Sequence, residues 1–207
     1  MQGDGDRSVR YRRGMPRTPA PGTRERILGT ASRLFYAHGV RGVGMNRIIT
    51  EAGTGKNLLY VHFPTKDDLV AAYLGRTREW RAESARRALA AAGEGPREQL
   101  VAIVAEVARI ADRSDFRGCA FRNYLAEFPD DEAPAPAAVA REHLAESRAT
   151  IERLAGELGV DDPAGLAEQL WLLVDGLYVQ ATYRDRDERR RGADAAVALA
   201  RRLVGST

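Results

Sequence analysis

The stretch AGTGKNLLYVHFPTKDDL, residues 52–69, decides how the whole chain is read. It holds Lys56 and Lys66, the only two lysines beside thirty arginines. Ala52-Gly53-Thr54-Gly55 reads as a tight turn, Lys56–His62 as a short helix, and Phe63-Pro64-Thr65 as its break. Thr65 and Asp68 stand at the spacing of a helix cap and its third residue, so another helix starts after Thr65. Each lysine therefore falls at the beginning of a helix. A cation there opposes the helix dipole, at a penalty of roughly 0.3–1 kcal/mol at low salt. The same position suits a phosphate, because the free backbone N–H groups point outward.

Upstream, Ile27, Leu28, Ala31, Leu34 and Phe35 repeat as one buried helical face, opened by Thr23 as cap and closed by Gly39. Met45–Ala52 forms a second, short helix anchored by Ile48 and Ile49. Two short helices joined by a glycine-containing turn make a helix-turn-helix pattern, whose second helix enters the DNA major groove. An ordinary helical hairpin has the same outline. The two lysines, with a hydroxyl at Tyr60 and an imidazole at His62, favour a phosphate-facing surface. Phe63 reads as core.

Composition agrees. Residues 1–66 hold twelve Lys/Arg against four Asp/Glu, and the remaining residues twenty against twenty-five. A basic front end on an acidic remainder suits a polyanion-binding module followed by a module with another task. Residues 1–22, rich in Gly, Pro and Arg, read as a disordered basic arm. Residues 23–68 read as the DNA-binding unit and 69–207 as a larger helical unit. The fourth helix is expected to run to about residue 92. Further helices are expected near 96–113, 118–128, 135–158, 163–183 and 189–204. No segment alternates as a strand would, so the expected fold is all-α with about nine helices.

The single cysteine, Cys119, excludes an intramolecular disulfide framework and fits a reducing compartment. No apolar run approaches the ~20 residues of a membrane span, and the N-terminus lacks a secretory core. A cytoplasmic protein away from membranes is expected. The three histidines are scattered, and the chain has no phosphate-binding glycine loop and no metal-ligand cluster. No catalytic residue, metal site or cofactor is expected.

Residues 23–75 closely resemble the DNA-binding domain of TetR-type transcriptional repressors. The resemblance is carried by the LF…HG close of the first helix, the I–EAG turn, the K–LY–HFP helix and the K–L start of the fourth. It implies a homodimer on a pseudo-palindromic double-stranded DNA operator, released by a small-molecule effector. It places Lys56, Tyr60, His62 and Lys66 on phosphates, and Asn46, Asn57 and Leu58 at bases or the groove. Gly44, Gly55, Leu58 and Val61 depart from the common pattern, removing hydroxyls and a guanidinium from that face. Leu58 is left either to a thymine methyl or to burial. An activator, or an architectural DNA binder without a ligand, remains as the alternative.

The larger unit offers two further patterns. Phe116, Cys119, Phe121, Tyr124 and Phe128 gather aromatics around one short helix, while Trp171, Asp175 and Tyr178 share a face of the eighth. A carboxylate at Asp175 needs a partner among apolar neighbours, with Arg122, Asn123 and His143 as candidates. Phe116, Cys119, Phe121, Tyr124, Trp171, Asp175 and Tyr178 are therefore the candidate ligand-binding residues. Core packing is the plain alternative. On the last two helices, Val174, Leu177, Ala193, Val197, Ala200, Leu203 and Val204 are expected to form a dimer face. Packing of the ninth helix within its own subunit is the other reading.

Overall fold

The computed structural model describes residues 22–129 and 134–205. Among these residues there are nine helices and no strand. They are α1 Thr23–His38, α2 Met45–Glu51, α3 Lys56–His62, α4 Lys66–Ala92, α5 Pro96–Ala111, α6 Ala120–Glu127, α7 Pro134–Gly156, α8 Pro163–Gln180 and α9 Arg186–Gly205. The basic arm, up to residue 21, lies outside the described residues.

Local chemistry sets the boundaries. The Thr65 side chain accepts from the Asp68 N–H at 3.0 Å, and Asp68 accepts from the Thr65 N–H at 2.9 Å, a reciprocal capping box. Asp162 caps α8 by accepting from the Gly165 N–H, and prolines open α5 and α8. Gly39 closes α1 at φ 75°, ψ 159°, a conformation open essentially to glycine alone. Thr23 departs from expectation. It is a buried residue of the helix itself, and Gly22 holds the cap position without a side-chain bond. α6 starts two residues later than expected, because Gly118 turns the chain at φ 97°.

α1, α2, α3 and the first turns of α4 enclose a small core of Ile27, Leu34, Ile48, Leu59 and Leu69. α4 then continues among α5 and α7, with α8 packed on α5 and α7. One helix thus belongs to both units. No described helix is long and apolar enough to cross a membrane.

Much of the expected dimer face is covered within the single chain. Val174, Leu177, Ala200 and Val204 are buried within the single chain, and Ala193, Val197 and Leu203 pack partly buried on the same core. α9 lies along α5 and α8. Its small side chains permit that close approach, so Val174, Leu177, Ala200 and Val204 are used inside the subunit. The sequence shows that a helix face is apolar but not which neighbour covers it. What stays open on α8 is Leu172, 61% exposed, and Val179, 58% exposed, with Gly176 between them.

Candidate DNA interface and effector cavity

Leu59 anchors α3 in the core, and Phe63 beyond its end is buried too. This fixes which side of α3 faces out. Lys56, Asn57, Tyr60 and Val61 are exposed, as is Asn46 on α2. Leu58 is half-buried. Gly44 and Gly55 hold the cap positions of α2 and α3 with no side-chain cap bond. His62 is half-buried with Nε2 enclosed and unpartnered, so that edge of the ring is turned from solvent.

The two lysines separate in role. Lys56 is exposed. Lys66 donates from Nζ to the Val40 carbonyl, 2.6 Å away in the α1–α2 loop. Burial holds its ammonium below the ordinary lysine value, opposed by the Glu127 and Asp67 carboxylates. Lys66 therefore braces the loop that leads into α2, whatever else it touches.

That loop is also tied to the larger unit. The Val40 and Arg41 N–H groups donate to the two carboxylate oxygens of Glu127, at 3.1 and 2.8 Å. Arg41 Nε donates to the Glu127 carbonyl at 2.8 Å, and its guanidinium lies over Phe128. At the other end of α6, the Tyr36 hydroxyl donates to the Gly118 carbonyl at 3.0 Å and accepts from the Arg117 N–H at 2.9 Å. Burial raises the Tyr36 phenol, which stays protonated. α6 is thus held at both ends by α1 and the loop after it.

Two cavities flank this joint. The first, about 580 Å³, lies among α4, α5, α7 and α8 and is lined by residues including Val107, Ile151, Trp171, Val174 and Tyr178. The second, about 630 Å³, lies between α1, α4 and the turn into α6, and includes Phe116, Cys119 and Phe121. Arg81, Ile110, and Tyr178 line both. Asp175 finds its partner in Arg122, which also lies 5.0 Å from the ring centres of Trp171 and of Tyr178. Tyr124 is not brought to either space. It is buried core at the joint with α1, beside a void of about 30 Å³. Phe121 stacks on His143 at 3.9 Å. Burial, with Arg81 nearby, pushes the His143 imidazole down to about 4, so it is neutral at physiological pH.

Residue type alone does not single out Arg81, because α4 carries five arginines. Its phase could have revealed it. Tyr73 and Ser84 are buried on α4, and Arg81 stands eight residues after the one and three before the other, on the same stripe.

Two short helices on a shared core, with α3 presenting its outer face, make this a helix-turn-helix DNA-binding protein. Residues 27–73 match the family model described as bacterial regulatory proteins, tetR family. A TetR-family transcriptional regulator from Streptomyces coelicolor, SCO4454, superposes with a TM-score of 0.80 at 31% identity, over 88% of this chain and 95% of that one. The chain belongs to the TetR family of transcriptional regulators. It is also similar to the HTH-type transcriptional regulator LmrA of Bacillus subtilis, 42% identical over 59 residues, 28% of this chain and 31% of LmrA's length. A protein from Saccharomonospora viridis in complex with choline shares the fold, with a TM-score of 0.66 at 24% identity over 86% of this chain and 97% of that one.

Proposed function

We propose that this regulator is a homodimeric repressor that leaves a pseudo-palindromic operator when a small molecule enters the larger unit. The observation that carries this is α6. Its Arg122 lines the first cavity, while Glu127, near its end, holds the backbone of the loop leading into α2. A ligand that shifts α6 changes the position of the DNA-facing helices, provided it binds the two arrangements unequally. The cavity volume falls within the range of small-molecule sites, and the choline complex supports ligand binding within this fold.

On this reading Lys56, Tyr60, Lys66 and the exposed part of His62 meet phosphates. Asn46, Asn57 and Leu58 face the groove. Trp171 and Tyr178 contact the effector, Asp175 holds Arg122 in place, and Phe116, Cys119 and Phe121 belong to the neighbouring cavity. The second subunit covers Leu172, Gly176 and Val179 of α8, with a glycine in the middle where a facing helix comes closest.

The test is to select bound sequences from a random DNA pool, then measure operator affinity against a small-molecule panel. A two-fold symmetric motif, and a compound that weakens binding by tenfold or more while saturating one site per subunit, are expected. Binding without sequence preference would overturn the reading in favour of an architectural role.

A further inference from the structure

The ionised groups around the first cavity are matched, with one exception. Glu106 accepts two bonds from Arg109, at 2.6 and 2.7 Å, and one from Ser84. Burial alone would raise its carboxyl, but these bonds hold it below the usual range. Glu146 pairs with Arg78, Arg86 with Glu83, and Arg122 with Asp175. His143 is neutral.

Arg81 is the exception. Among the described residues it makes no ion pair and no hydrogen bond; its contacts are the faces of Tyr178, 5.4 Å from the ring centre, and Trp80, 5.9 Å. A guanidinium carries five N–H donors in its own plane. Aromatic rings take its flat faces and leave that edge without an acceptor. None of its nitrogens is among the sealed, unpartnered polar atoms, so the edge opens onto space. That space is the wall shared by the two cavities. Arg122 lies beside Arg81. Both guanidinium groups lie over Tyr178, and Asp175 pairs with Arg122 alone; Glu106 acts on Arg81 only through space, its oxygens already bonded by Arg109 and Ser84. The Arg81 edge has no bonded acceptor among the described residues. Burial lowers the Arg81 guanidinium from the ordinary arginine value, opposed by Cys119, Glu106 and Tyr36 and reinforced weakly by Arg122.

We propose that the effector is a monoanionic organic acid, its carboxylate gripped edge-on by Arg81 and its apolar or aromatic body lying between Val107, Ile151, Trp171 and Val174. A carboxylate matches the guanidinium fork with two parallel bonds. It also supplies the acceptor that the Arg81 edge lacks. The inference rests on the effector reading of the first cavity and adds the chemical class of the ligand.

The probes are naphthalene-2-carboxylate and decanoate, each beside its neutral primary amide, titrated calorimetrically into the full-length protein. Each acid is expected to bind about tenfold or more tightly than its amide, as for a charge-assisted pair. Arg81→Met should abolish that preference while keeping amide binding, and Arg81→Lys should restore part of it. Because it removes an unmatched buried charge, Arg81→Met should also melt higher than the parent. Amides that bind as well as the acids would overturn the proposal and leave the cavity reading intact. If no probe binds saturably, both fall. A lower melting temperature with loss of amide binding in Arg81→Met would make Arg81 a structural residue and overturn the proposal.

Discussion

The two units put their functional chemistry in opposite places. In the N-terminal unit the interior is closed, and the outer face of α3 carries the candidate contacts. In the larger unit the interior is open, and the groups of interest line the space within. Surface chemistry on a sealed scaffold can be varied side chain by side chain. Chemistry around a cavity depends on what the surrounding helices leave unfilled, so its residues answer to packing and charge together.

The contrast is tested most severely at Leu59, which is fully buried under α3. Leu59→Ala should cost roughly 2–5 kcal/mol in chemical denaturation, and operator binding should go with it while a ligand still binds the larger unit. If binding at both sites is lost together, the units are less separable than drawn. Next comes the joint. Gly39→Ala forces a left-handed backbone on a residue whose new methyl would sit 2.9 Å from Glu127 Oε1. The strain is about 1–3 kcal/mol, and melting curves should show it.

His143 probes the open interior through pH. Its folded pKa, about 4, lies below the ordinary 6.5, so between those values the unfolded chain binds more protons. Stability from this group is fully present above pH 6.5 and is lost as the pH falls towards 4. The slope is at most about 1.4 kcal/mol per pH unit. Denaturation of His143→Gln across that window should show a flatter dependence than the parent.

The smallest effect separates the lysines. Lys56→Ala should weaken binding to all sequences and reduce the log–log salt slope by about one unit. For Lys66→Ala, whose ammonium is already bonded to Val40, the slope change should be smaller and the melting temperature lower. Equal slopes in the two variants would make Lys66 a phosphate contact of full strength.

The helices were largely legible because their ends are written in single residues. Gly39, the Thr65 and Asp68 pair, Pro96 and Pro163 each stop or start a helix by local chemistry. The pairing of Asp175 with Arg122 was legible as one of three options, since a carboxylate among apolar neighbours demands a partner. Three things were not. The bond from Lys66 to Val40 depends on where a loop folds back. Val174 and Leu177 look the same in sequence whether a neighbour in the same chain or in another covers them. Arg81 resembles the other arginines of α4 until the lack of a bonded acceptor at its edge is seen in space.

α4 makes the molecule a lever. Arg81 and Lys66 stand on one unbroken helix, fifteen residues and about 22 Å apart. If that rod pivots by ~5° about its cavity end, simple trigonometry carries the Lys66 end through ~2 Å. In the homodimer proposed above both rods would swing, and the gap between the α3 helices would open or close by up to twice that. Such a dimer would work as a pair of callipers set to half-sites about 34–36 Å apart. DNA offers rungs at fixed intervals, so a small turn of the screw is enough to miss them.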